Sequence, residues 1–406
     1  MNVVFVEPAF PPTQRQFVRA LAEVGATVIG VGERPNEELD EQLRSWMSHY
    51  HRVPTVVDVG VLTDVVRWIQ NKVWVDRLET TIEAHTLPVA QVRERCTIPG
   101  TSVRTAWLCR DKPSMKETLR AAGVPTAAST AADNADTVHA FADAVGYPLI
   151  LKPRSGAGAL DTIRVDSRPE LDAALARFGG SVESIAVEEF VEGHEGFYDT
   201  LSVGGHAVVD FVSHYFPNVL DAMRTRWISP QFVSTNRVDS VADYGQLREL
   251  GARVTEALGI GTSATHMEWF FGPKGLRFSE IGCRPPGVGA WDLYSHGNDL
   301  DLYREWANAI VHGQIAARPS RRFATGIVAL RPDHDGQITG YSGIEEVQGR
   351  SGQWVIDAHL PPPGAPTQPV EAGYMANAYV RMRHPDYDTL RDLLDDVGRT
   401  VQVHAA

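Results

Sequence analysis

The 406-residue sequence predicts a mixed α/β and α+β protein. Three observations support that class. The chain opens with a β-α-β pattern, the unit of a parallel sheet. Two strand-like runs, ending near Pro153 and Val191, flank a glycine-containing loop with helical runs beside them, which describes a small α+β unit. From Gly196 onward the alternation is that of antiparallel hairpins. The reading gives four parts: a parallel α/β domain at 1–108, a linker helix and small α+β subdomain at 109–187, a larger antiparallel subdomain at 188–314, and a strand-rich region at 315–406.

Each element follows from its local pattern. Val3 to Val6 is an apolar run, read as a buried first strand. Phe17, Leu21 and Val24 recur at helical spacing and stop at Gly25, and Thr27 to Val31 is the second strand. The first turn, Glu7-Pro8-Ala9-Phe10-Pro11-Pro12, lacks the glycine fingerprint of a dinucleotide site. Ser114 and Glu117 have capping-box spacing, opening a helix that Gly123 stops. Residues 136–145 read as a helix, Tyr147 to Pro153 as a strand, Ser167-Arg-Pro-Glu170 as a second capping box, and Ile185 to Val191 as a strand. Gly204-Gly205 is a hairpin turn. Asn218 to Val238 reads as a polar loop holding Arg224, Arg226 and Arg237, long enough to be functional. Leu247, Leu250, Val254 and Leu258 predict a helix closed by Gly259, and Leu302, Trp306 and Ile310 another closed by Gly313. The last part ends in a short helix around Leu390 to Val397.

Composition narrows the function. A net charge of −13 excludes a protein that grips a nucleic-acid backbone, because that needs a basic face. A nucleotide ligand stays possible, since it needs only a few local lysines or a metal. Cys96, Cys109 and Cys283 have neither C-x-x-C nor zinc spacing, as expected in a reducing compartment. The first residues carry no basic n-region and no apolar run approaches membrane length, so the expectation is a cytoplasmic protein with no membrane partner. A homodimer is the default expectation for its assembly.

The strongest local signal is a hairpin. Thr265-His-Met-Glu-Trp-Phe-Phe271 and the run Leu276 to Glu280 flank Gly272-Pro-Lys-Gly275. Proline at the second turn position and a left-handed glycine predict a three-residue loop, Pro273 to Gly275. That register pairs Gly272 with Leu276, Phe270 with Phe278 and Glu268 with Glu280. Two carboxylates then face each other, which destabilises a strand pair unless a positive group lies between them. Magnesium is the natural cation, since it takes one or two carboxylates plus substrate phosphates; manganese is the substitute. The plainer alternative is a solvated pair of acids, at odds with Phe270 and Phe278 on the same face. Arg284 suits a phosphoryl or carboxylate group, or a simple ion pair with Glu280. His266, on the acid-bearing face, reaches substrate or serves the structure.

Lys152 ends a buried strand and precedes the small-residue loop Ser155-Gly156-Ala157-Gly158. Glycines let backbone N–H groups approach phosphate oxygens, and a lysine adds a point charge. Taken singly, this is also an ordinary strand end. Val187 to Glu195 is a strand running into an acidic turn, which suits a nucleoside edge or plain solvation. Lys112 lies near a helix start, where anions bind, or is a surface lysine.

In this order, Asp111-Lys112, Leu151-Lys152-Pro153 with Gly156 and Gly158, Glu188-Glu-Phe-Val-Glu-Gly-His-Glu195, His266-Met-Glu268 and Glu280-Ile-Gly-Cys-Arg284 resemble the ATP-grasp superfamily. The resemblance is nearest to its carboxylate–amine ligase branch, including L-amino-acid ligases, whose Thr-His-x-Glu run is similar to Thr265-His-Met-Glu268. The strand-rich C-terminus resembles that of biotin carboxylase-like members. The fold this implies is an ATP-grasp fold, with the small α+β subdomain as a lid. It also implies residue roles. Lys112 and Lys152 would hold ATP phosphates, and Ser155, Gly156 and Gly158 would close over them. Glu188 and the backbone at Val191 would meet adenine, and Glu195 the ribose. Glu268 and Glu280 would bind magnesium, and Arg284 would steady a phosphorylated carboxylate beside Lys152 and His266. Substrate would meet Arg224, Arg226, Arg284 and Trp291. One departure is Gly282, where the family often has asparagine; it leaves the number of metal ions open.

The implied reaction phosphorylates a small carboxylate to an acyl phosphate, which an amine then attacks, giving an amide, ADP and phosphate. Catalysis of that kind is positioning and electrostatics, and no nucleophilic side chain is needed. Cys283 reads as a small filler. Two rivals stand beside this: a biotin carboxylase-like reaction that phosphorylates bicarbonate, and a catalytically weak ATP-binding protein suggested by Gly282.

Overall fold

Apolar β-branched runs build the N-terminal sheet of this computed structural model, which describes residues 1–132, 134–155, 162–177, 185–373 and 377–406. Its four parallel strands lie in the order His49–Arg52, Thr27–Gly32, Asn2–Val6, Arg77–Glu79. Val3, Val4, Phe5 and Val6 are all fully buried, as a central parallel strand with covered faces requires. The chain leaving Arg77–Glu79 carries Thr81 and Glu83 past the carboxyl edge of the sheet, the edge where α/β proteins place ligands.

The linker helix spans Lys112–Ala121. Its N-cap is Asp111, whose carboxylate accepts the Ser114 N–H at 3.2 Å. The helix therefore starts ahead of the expected Ser114 cap. Aspartate caps as well as serine does, and Pro113 fits a first helical turn. The shift places Lys112 inside the helix, one turn from Lys116 on the same face. The small subdomain follows as a four-stranded antiparallel sheet, ordered Ser129–Ala131, Ile185–Glu189, Leu149–Pro153, Ile163–Val165, with helices Ala135–Val145 and Arg168–Arg177 packed on it.

An eight-stranded sheet forms the body. Its order is Gly275–Gly282, Ser263–Gly272, His194–Val203, His206–Phe216, Gln231–Ser234, Ala324–Leu330, Ala378–His384, Val355–His359. The expected loop at Asn218 to Val238 thus contains a short helix, Val219–Ala222, and a strand, Gln231–Ser234, paired between two long neighbours. Four residues are too few to announce a strand by alternation, and burial between partners supplies what propensity does not.

The hairpin at Gly272 differs from its predicted register and still opposes the two acids. Pairing closes at Gly272 with Gly275, so Phe271 faces Leu276, Phe270 faces Arg277 and Trp269 faces Phe278. Gly275 takes the left-handed φ of 75° expected of it. A bulge then places Ser279 as an extra residue opposite the Glu268–Trp269 step, and Glu268 comes to face Glu280. Without the bulge, the one-residue offset would have put the two carboxylates out of line.

Candidate active site

Three lysines from two elements converge on two acids, Glu188, which is buried, and Glu280, which is half-buried. Lys112 and Lys116 descend from the linker helix, and Lys152 from the strand Leu149–Pro153. Lys116 Nζ lies 2.6 Å and Lys152 Nζ 2.9 Å from Glu188 Oε2. Lys112 Nζ lies 3.3 Å and Lys152 Nζ 3.7 Å from Glu280 Oε2. Burial drives the Lys116 ammonium down to about 8 against the pull of Glu188. Burial would raise the Glu188 carboxyl, but Lys116 and Lys152 outweigh it and hold it below its ordinary range. Glu188 Oε1 is buried with no hydrogen-bond partner among the described residues, so this carboxylate keeps one unused acceptor. Lys116 escaped the sequence reading; its spacing of four from Lys112 on one helix was the available signal.

The hairpin acids split. Burial raises Glu268 to about 8, helped by Glu280 and Glu195. Burial acts on Glu280 too, yet Lys112 and Lys152 bring it down to about 2. Two opposed oxygen donors, Glu280 held charged by its lysines and Glu268 kept protonated by burial and acidic neighbours unless a cation joins it, make a donor set that fits a hard divalent cation. Glu195 is likewise raised to about 7, chiefly by burial, although Val219 N–H donates to its Oε2 at 2.7 Å. These side chains, with Val191, Glu189 and Asp221, line one cavity of about 180 Å³ between the small subdomain and the large sheet.

A narrow space bounded by Lys112, Glu280, His266, Glu83 and Arg284 adjoins it, sharing Lys112 and Glu280 as walls. Asp199, nearly fully buried, accepts from His266 Nδ1 at 2.7 Å and from the Tyr294 hydroxyl. Burial would lower the His266 ring, but Asp199 raises it above its ordinary value and fixes which nitrogen faces Glu268. Arg284 does not pair with Glu280. Its Nε donates to Glu83 Oε2 at 2.7 Å, and Arg110 holds the other Glu83 oxygen at 3.4 Å. A Cβ at Gly282 would lie 2.9 Å from Glu83 Oε2, so Glu83 uses room that a side chain at 282 would take.

Residues 111–195 match the family described as "Carbamoyl-phosphate synthase L chain, ATP binding domain". The chain is similar to an L-arginine-specific L-amino acid ligase of Bacillus subtilis, 26% identical over 74% of this chain and 73% of that ligase. It is also similar to an alanine–anticapsin ligase of Bacillus subtilis, 25% identical over 55% of this chain, and spans about half (50%) of that protein's length. Its fold matches the crystal structure of an L-amino acid ligase from Bacillus licheniformis with a TM-score of 0.75 at 18% identity, covering 100% of this chain and 98% of that one. A match to N5-carboxyaminoimidazole ribonucleotide synthetase from Thermotoga maritima has a TM-score of 0.71 at 15% identity, covering 100% and 99%. These likenesses are to ATP-grasp carboxylate–amine ligases, and the fold is theirs.

The ATP-grasp fold was the predicted one, with its parallel N-terminal sheet and large antiparallel sheet. Of the residues expected around a nucleotide, Lys112, Lys152, Glu188, Val191, Glu195, Glu268 and Glu280 share the one cavity. Ser155 is exposed beside it, while Gly156 and Gly158 lie outside the described residues. Arg224 and Arg226 line neither this cavity nor the space beyond. Arg224 donates to Thr162 O at 3.1 Å, and Arg226 pairs with Asp335 at 2.7 Å. Trp291 is buried in the core and lines a second, larger cavity with Arg284. Among the described residues, no helix is long and apolar enough to cross a membrane.

Proposed function

We propose that this chain phosphorylates a small carboxylic acid with ATP and passes the acyl group to an amine, an amino acid or similar, releasing ADP and phosphate. One observation carries the reading: three lysines and two opposed carboxylates line a single cavity, and two of them, Lys112 and Glu280, also wall the adjoining space that Arg284 borders. Lys112 and Lys152 neutralise the phosphates, and Lys116 keeps Glu188 charged and in place. Glu188 and Val191 face the base, and Glu195 the ribose. Ser155, Gly156 and Gly158 close over the phosphates.

Glu268 and Glu280 hold magnesium, or manganese in its place. When bound, that ion offsets the charge of the transferring phosphoryl group. The side chains do the rest by position. Arg284, braced by Glu83, presents its guanidinium to the acid's carboxylate and later to the oxyanion formed on amine attack. His266, oriented by Asp199, presents Nε2 to the same space. Relatives that ligate amino acids support this choice of reaction class.

The test incubates the purified chain with ATP, magnesium and pooled amino acids. Amine-dependent ADP and amide are the expected products. Bicarbonate-dependent turnover would point to the carboxylase reading, and AMP with pyrophosphate would end the acyl-phosphate route.

A further inference from the structure

A second cavity, of about 490 Å³, lies beyond Arg284 and belongs to none of the nucleotide contacts. Three separate parts of the chain wall it. Phe17 and Glu83 come from the N-terminal domain, Arg284, Trp291 and Tyr303 from the segment after the hairpin, and Tyr379 and Arg381 from a late strand of the large sheet. Arg284 and Glu83 border both this cavity and the narrow space that reaches Lys112 and Glu280. The three spaces therefore follow one another, each sharing wall residues with the next.

We propose that this cavity is the pocket for the acid substrate, and that it takes a carboxylic acid with a bulky apolar or aromatic body. The inference rests on the ligase reading above. Arg284 spends Nε on Glu83 and Nη1 on Pro285 O at 2.9 Å, and its Nη2 has no hydrogen-bond partner among the described residues. That free edge sits at the junction where a carboxylate must lie to meet a phosphoryl donor. Behind it the walls are aromatic. Phe17 meets Trp291 at 5.2 Å and Tyr303 at 4.9 Å between ring centroids. The charges facing the cavity are matched within the protein. Asp292 accepts from Tyr303 at 2.9 Å and pairs with Arg381 at 3.2 Å, and Arg381 also donates to Asp357 at 2.8 Å. No uncompensated charge is left to recognise a charged substrate side chain, and burying one against these rings would be costly. A small acid would leave the aromatic walls wet.

The experiment supplies hydroxylamine as the amine and measures ADP and hydroxamate with L-phenylalanine, L-leucine, L-alanine, L-aspartate and L-arginine as acids. Phenylalanine and leucine are expected to exceed the other three by roughly tenfold or more in kcat/KM. In Tyr379→Ala, at a half-buried wall position, the KM for phenylalanine should rise about tenfold while the KM for ATP stays. Equal turnover of alanine or aspartate, or a change in the KM for ATP alone, overturns the assignment. If no acid releases ADP although ATP binds, the ligase reading fails separately. Calorimetric titration of the wild-type chain with phenylalanine and alanine then decides the pocket: tighter phenylalanine binding supports it, and equal or absent binding overturns it. The same titration serves if Tyr379→Ala does not fold.

Discussion

Lys116 and Glu188 show how much of the site is decided by single side chains. Glu188 is buried and gets its charge balance from Lys116 and Lys152. Removing one partner of a buried pair leaves a charge that nothing nearby offsets. Lys116→Met should therefore cost about 3 kcal/mol, read as a lower urea midpoint with an unchanged slope. Lys116→Met combined with Glu188→Gln should recover part of that loss, because no buried carboxylate is then stranded. An unchanged midpoint in the single variant would disprove the coupling. Gly282 makes the opposite kind of test. Gly282→Asn supplies the asparagine that the family resemblance leads one to expect, yet its Cβ would displace the Glu83 carboxylate from Arg284. The displaced atom ends a flexible side chain, so stability should change by less than about 1 kcal/mol. Activity should fall roughly tenfold through the KM for the acid, as expected when a positioning contact is lost. A gain in activity would show that Glu83 does not brace Arg284.

The hairpin carries the argument at the scale of elements. Ser279 is the residue that returns Glu280 to face Glu268. Deleting it should close the ladder with Trp269 opposite Phe278 and Glu268 still opposite Glu280, so magnesium-dependent nucleotide binding, measured by fluorescence titration with and without the ion, should be kept, whereas inserting a residue there should abolish it. Gly275 has nothing within contact range of an added Cβ, so Gly275→Ala tests the backbone alone. Its φ of 75° predicts a loss of about 1 kcal/mol in urea unfolding. This element also shows what was legible. The turn residues announced a hairpin with two acids on it, because proline and glycine fix backbone angles locally. They did not announce the bulge, since a bulge is set by what the neighbouring strand and core demand. The linker helix behaved alike. Its Ser114–Glu117 spacing points to a start three residues late, and Lys116 joins the site only when helical facing is counted from Asp111. Glu83 could not have been found at all. Its partner is 201 positions away, and no local pattern records that distance.

For the whole molecule, buried histidines make acid the vulnerable direction. His214 hydrogen-bonds His194 at 2.9 Å and the Tyr244 hydroxyl at 2.8 Å, with Trp269, Phe216, Tyr387 and Arg391 around the pair. Burial first, then His194 and Arg391, push its ring from 6.5 to about 3. Below the unfolded value, the unfolded chain binds a proton that the folded chain refuses. Stability from this ring is thus full above 6.5 and declines as the pH falls towards 3, by about 1.4 kcal/mol per pH unit. Glu195, raised to about 7 by burial, acts in the opposite sense, so the check is a difference. Urea unfolding of the wild type and of His214→Asn should diverge in slope against pH between 6 and 4.5 by about that amount. Parallel slopes would rule the ring out.

The strand Ala324–Leu330 lies between Gln231–Ser234 and Ala378–His384, and the last of these brings Tyr379 and Arg381 to the aromatic cavity. A nascent chain that has delivered every lysine and both hairpin acids still lacks that wall until the strand Ala378–His384 has followed. A chain stopped between the hairpin and that strand would therefore fold its lysines and acids together without the aromatic wall, and the proposed acid pocket would form only after the large sheet is completed.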